Sequence, residues 1–135
     1  MIPQSMPIFV ATQPVDMRRS FNGLVKVTEE VLKKNPRERA LFVFCNRACD
    51  RIKILWWDKT GYCLLYKKLD RKWTFKIPES DRPGEANVEL TGHELASILK
   101  GKLRRMTRAN RREISRSLRH SALRIVSEPA TPPPA

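Results

Sequence analysis

Between residues 41 and 78 the chain reads LFVFCNRACDRIKILWWDKTGYCLLYKKLDRKWTFKIP, in which strand-length apolar and aromatic runs are separated by short polar breaks. Runs rich in Val, Ile, Phe, Tyr and Trp fit a pleated, half-buried surface, so this block predicts consecutive strands. The expected strands are Leu41–Cys45, residues 51–57, residues 62–69 and residues 73–77, with Pro78 as the stop. Asp58-Lys59-Thr60-Gly61 has turn chemistry. Sequential strands joined by short turns pair directly, which predicts an antiparallel meander. Ile8–Ala11 is a short apolar run expected at an edge of the same sheet.

Helical spacing appears on either side of the block. Phe21, Leu24, Val25, Thr28, Val31 and Leu32 recur as one face. A helix over residues 17–34 is expected, with Asp16 as N-cap, Lys33 and Lys34 at the negative end, and Pro36 as the stop. Its apolar face is expected over Ile52 and Ile54. Residues 79–89 read as a polar loop. Thr91 and Glu94 then have capping-box spacing, and Leu90 and Leu95 stand at hydrophobic-staple positions, which starts a second, short helix near residue 92. From Lys102 on, Leu103, Met106, Asn110, Ile114, Leu118, Ala122 and Ile125 recur every three or four residues among arginines. That pattern predicts a basic amphipathic helix over 102–126, followed by a disordered end over 127–135. The expected fold is therefore a small α+β domain over 1–101: an antiparallel meander of four to five strands, an N-terminal helix packed on it, and a short second helix, with the basic helical tail appended.

Composition changes the picture through charge. The 135 residues carry 27 Lys plus Arg against 14 Asp plus Glu, a formal net charge of +13. Residues 1–99 hold 17 basic and 12 acidic side chains, whereas residues 100–135 hold 10 and 2. So uneven an excess points to an anionic partner, most commonly nucleic acid. Two groups of candidate contacts follow. Arg47, Arg51, Lys53, Lys67 and Lys68 are woven through the strands beside Trp56, Trp57, Tyr62 and Tyr66. Arg104, Arg105, Arg108, Arg111, Arg112, Arg116 and Arg119 line the tail. Arginine presents a planar fork that matches two phosphate oxygens, and aromatic faces stack on bases. A solvated sheet face with the aromatics turned into the core is the plainer reading of the first group. A membrane-surface helix or a protein-docking helix is the alternative for the second.

Catalytic and metal chemistry find little support. Cys45 and Cys49 are four apart, and Cys63, His93 and His120 are the other soft ligands, a spacing unlike a zinc ribbon. The odd count of three, with no secretory signal at the N-terminus, fits reduced thiols in a cytoplasmic protein. Asp16, Asp50, Asp58 and Asp70 each have a cap or turn role in place of a metal-binding one. No Walker loop, dinucleotide fingerprint or nucleophile–base signature occurs, so neither enzyme activity nor a cofactor is expected. No run approaches the length needed to span a bilayer.

The segment IFVATQPVDMRRSFNGL together with the strand block resembles the TnpB accessory proteins, or Orf-two proteins, of bacterial insertion sequences of family sixty-six. The resemblance rests on Pro14-Val15-Asp16-Met17-Arg18, Phe21 with Gly23-Leu24, Leu41-Phe42-Val43-Phe44 and Asn46-Arg47. It continues through Asp50-Arg51-Ile52-Lys53-Ile54-Leu55, Trp57-Asp58, Gly61 and Tyr66-Lys67-Lys68-Leu69, and covers about residues 8–101. Ser20, Asn22, Arg39, Cys45 and Cys49 depart from the family pattern, and the arginine tail is longer than the family's ending. The resemblance implies a non-catalytic protein that supports transposition beside a separate transposase, and it supplies no binding residues. Joined to the charge, it leads to the expectation of a cytoplasmic, nucleoid-associated protein that contacts DNA at the element ends and assists the transposase. The alternative is a protein-only adaptor that docks on the transposase without touching DNA.

Overall fold

A computed structural model of the chain describes residues 5–104. Its main sheet has five strands: β1 Ile8–Ala11, β2 Leu41–Cys45, β3 Arg51–Asp58, β4 Gly61–Lys68 and, later in the chain, Asn87–Leu90. Trp73–Thr74 (β5) and Lys102–Leu103 form a separate two-stranded ribbon, so Asn87–Leu90 is β6 and Lys102–Leu103 is β7. Two helices, α1 Phe21–Glu30 and α2 Gly92–Lys100, complete the α+β fold.

The strand order is β4-β3-β2-β1-β6. Pairing across β2-β3-β4 is antiparallel, as the sequence predicts, with Val43 opposite Ile54 and Ile54 opposite Leu65. The sheet as a whole is mixed, which corrects the expected all-antiparallel meander. β1 runs parallel to β2, with Ile8 beside Leu41 and Val10 beside Val43. Parallel neighbours need a crossover, and α1 supplies it. β1 is therefore an inner strand and not an edge, because Asn87–Leu90 pairs on its far side with Ile8 opposite Leu90. Both β1 and β2 are almost continuously buried, which explains their unbroken apolar runs.

The expected fourth meander strand is also corrected. Only Trp73 and Thr74 are extended in a ladder, and they pair with Leu103 and Lys102. The reason is local capture by the β2–β3 loop. The Cys49 carbonyl accepts from Phe75 N–H (2.6 Å) and from Thr74 Oγ1 (3.0 Å), and the Phe75 ring is fully buried. Lys102 and Leu103, expected to open the tail helix, belong to this ribbon instead.

Each face of the sheet carries one helix. Leu24, Val27 and Leu32 pack with Phe42, Phe44 and Leu55 on the α1 face. Ile52, Ile54 and Trp56 point the other way and pack with Leu95 and Ile98 of α2. The expected contact of the first helix with Ile52 and Ile54 is thus corrected by strand alternation, since Leu55 and Ile54 must face opposite sides.

α1 is shorter than the predicted 17–34. Its N-cap is Ser20, while Asp16 takes Arg18 as its partner. At the other end Lys33 is left-handed (φ 56°), and Leu32 N–H bonds back to Val27 O at 3.1 Å. The chain turns away there, which leaves Val31 exposed, and Phe21 at the other end of the helix is exposed as well. α2 begins as predicted. Glu94 N–H donates to Thr91 Oγ1 (3.2 Å), Thr91 N–H donates to Glu94 Oε1 (3.1 Å), and Leu90 and Leu95 are both buried. Gly101 ends it at φ 78°, and a Cβ there would meet Leu69 Cδ1 at 3.2 Å.

Candidate nucleic-acid interface

The β3–β4 hairpin turns at Lys59 and Thr60, with Asp58 opposite Gly61. That register places Arg51 directly opposite Lys68 and Lys53 opposite Tyr66. Positions 51, 53, 66 and 68 all lie on the α1 face, where side chains of a cross-strand pair stand side by side. Two like charges in that relation repel. Neither Arg51 nor Lys68 has an ion-pair partner among the described residues. Lys68 is exposed and Arg51 half-buried. Arg47, exposed on the loop entering β3, belongs to the same end of the strand. The loop is held by Asn46, whose Oδ1 accepts from Asp50 N–H and Arg51 N–H, each at 3.0 Å.

Lys53 has a different task. Its side chain is buried, and its ammonium donates to Met17 O (2.9 Å) and Arg19 O (2.7 Å) while lying 4.8 Å from the Tyr66 ring centroid. A buried ammonium with two carbonyl acceptors ties the segment before α1 to the sheet. Two of its three N–H donors are taken by these carbonyls and the ammonium is buried over the Tyr66 ring, so it is turned away from an external phosphate. Lys67 also separates from the group. The pleat turns it to the α2 face, where Nζ donates to Leu99 O at 2.6 Å, at the negative end of α2. Of the five cations proposed from the sheet, the fold therefore gathers Arg51 and Lys68 as a pair with Arg47 near them, and diverts Lys53 and Lys67. Arg104 is the last described residue. Arg105, Arg108, Arg111, Arg112, Arg116 and Arg119 lie outside the described residues, as does the basic helix expected there.

Tyr66 is 49% exposed beside this pair, an aromatic face that alternation along β4 already signals. Missed by sequence reasoning is Arg37, whose guanidinium lies 4.4 Å from the Trp57 ring, with Tyr62 edge-on to that ring at 4.9 Å. Nothing local announces this contact, since Arg37 reaches the hairpin across the turn after α1.

The carboxylates stay apart. Asp16 forms an ion pair with Arg18 at 2.7 Å, and hydrogen bonds from that side chain and its N–H hold the carboxyl down to about 2. Asp50 Oδ1 accepts from Asn46 Nδ2, and Asp70 Oδ1 from Arg71 N–H. Among the described residues no group of His, Cys, Asp and Glu is placed to hold a metal ion. All three cysteines are free thiols, and burial, with Cys49 alongside, pushes Cys45 up to about 12. No described helix is long and apolar enough to cross a membrane.

A small mixed-sheet α+β domain with a cationic cross-strand pair at one end of its hairpin is the class these observations define. The chain belongs to the family described as IS66 Orf2 like protein, which matches residues 6–109. That family is one of transposition-associated accessory proteins and not a known enzyme class. Two proteins of Sinorhizobium fredii are similar to it. One, the uncharacterized protein y4hO, is 43% identical over 68 residues, covering 50% of this chain and 59% of that protein. The other, the uncharacterized protein y4jC, is 32% identical over 110 residues, covering 78% of this chain and 94% of that protein. No solved structure matches.

Proposed function

We propose that this accessory protein binds DNA at the ends of its insertion element and assists the transposase there, on the nucleoid in the cytoplasm, without catalysing a step itself. The observation that carries the reading is the Arg51–Lys68 pair. Two cations set against each other with no ion-pair partner among the described residues favour an external anion. The net +13 and the family's place beside a transposase support the same reading. Phosphate contacts of this type position a protein on DNA without reading its sequence, so site choice falls to the transposase or to the tail arginines. Arg47 extends the phosphate track. Lys53 contributes by fixing the segment around Arg19, and Lys67 by fixing α2.

Mobility-shift assays with element-end DNA, with and without the transposase, test this. Expected is a shift by the accessory protein alone at low salt, weakened as salt rises, and a supershift with transposase. Capture of transposase with no DNA shift at any salt would leave the adaptor as the function.

A further inference from the structure

We infer that β4 is an interface with a second copy of this chain, paired antiparallel about a two-fold axis at Leu64. This stands apart from the DNA reading and does not depend on it. The five-stranded sheet ends on one side at β6, a strand of four residues, and on the other at β4, which is eight residues long. Among the described residues nothing pairs with the outer edge of β4. Its first five residues, Gly61-Tyr62-Cys63-Leu64-Leu65, carry no charge, and the strand contains no proline. A long edge with such an uncharged stretch is the kind that soluble proteins cover or disrupt, and here charge begins only at Lys67 and Lys68 at its far end.

The sequence of the strand selects the occupant. On the α1 face stand Tyr62, Leu64 and Tyr66, which read the same in both directions. Opposite residues in an antiparallel pair share a face, so a two-fold axis must pass through a residue and not between two. Placed at Leu64, the axis sets Leu64 against its own counterpart and Tyr66 against Tyr62 of the other copy. That covers the 49% exposed Tyr66 and the half-buried Tyr62 and Leu64, which α1 leaves open. On the α2 face Lys67 lands opposite Gly61, which has no side chain and no neighbour within 4 Å of its Cβ position. Beyond Gly61 lies Asp58 on the same face, the acidic residue that ends β3. Lys67, which keeps its bond to Leu99 O within its own copy, thus meets no side chain and no like charge directly across the seam. Shifting the axis to Tyr66 would instead crowd the lysines of both copies around the centre.

Sedimentation of the full chain over a wide concentration range reads the association, with twice the chain mass expected at the upper end. Tyr66→Glu, at an exposed position, is expected to return the chain to monomer while it stays folded by circular dichroism, with its urea midpoint no longer dependent on protein concentration. Register is read by disulfide trapping in a Cys45→Ala, Cys49→Ala, Cys63→Ser background. Leu64→Cys should cross-link between copies. Lys68→Cys should not, because the two positions would be about 26 Å apart at strand rise. A monomer at every concentration, a dimer indifferent to Tyr66→Glu, or cross-linking at position 68 as readily as at 64 would each overturn the interface.

Discussion

The ammonium of Lys53 donates to the carbonyl oxygen of Arg19 at 2.7 Å, joining the middle of β3 to the residue before the N-cap of α1. A second bond to Met17 O makes Lys53 the anchor of that whole segment. Replacing it with methionine keeps most of the volume and removes both donors. Buried acceptors without partners are costly, so Lys53→Met should destabilise the fold by about 2–4 kcal/mol. Urea denaturation followed by tryptophan fluorescence measures this. If the variant is as stable as the parent, Lys53 is a solvated cation.

Arg51 and Lys68 give stability and binding effects of opposite sign. Lys68→Glu turns a like-charge cross-strand pair into an opposite-charge pair, a gain of about 0.5 kcal/mol in the urea transition. The same change should weaken DNA binding several-fold and shallow the salt dependence by roughly one unit of slope. A variant that is both more stable and unimpaired in DNA binding would assign the pair to another anion.

The α2 cap is local and simple to test. Thr91→Ala removes the acceptor for Glu94 N–H and leaves Glu94 bonded to a single partner. A loss of about 1 kcal/mol is expected from thermal or urea unfolding. No change would mean that packing of Leu95 and Ile98 alone sets where α2 begins.

Thiol chemistry follows from the buried Cys45. Its ionisation is pushed from 9.0 to about 12, chiefly by desolvation. The folded state therefore resists the thiolate. That contribution to stability is complete below pH 9 and lost as pH rises toward 12, where the unfolded chain ionises first. At pH 8, alkylation with mass-spectrometric readout should modify Cys45 last of the three cysteines. Early modification would show that the end of β2 opens readily.

These predictions rest on features of unequal visibility in the sequence. The Thr91–Glu94 box and the hairpin were legible because each is fixed by residues a few positions apart. Once Asp58 and Gly61 close the turn, alternation alone puts Arg51 opposite Lys68 and turns Lys67 to the other face. The inward turn of Lys53 was not legible, since its acceptors lie more than thirty positions upstream. Nor was the central place of β1. Its parallel partner and its neighbour β6 come from distant segments, and Asn87–Leu90 is too short and polar to declare a strand. Cys49 shows a third kind of case, in which a loop carbonyl diverts residues of good strand propensity into a separate ribbon.

Binding of element-end DNA, followed by fluorescence anisotropy across a salt series for the parent and for Arg51→Gln/Lys68→Gln, tests the central claim most directly. The account predicts that affinity falls linearly on a log–log plot for the parent. It also predicts that the double variant binds more weakly at low salt, with a slope shallower by about two units. Coincident lines for the two proteins would contradict it.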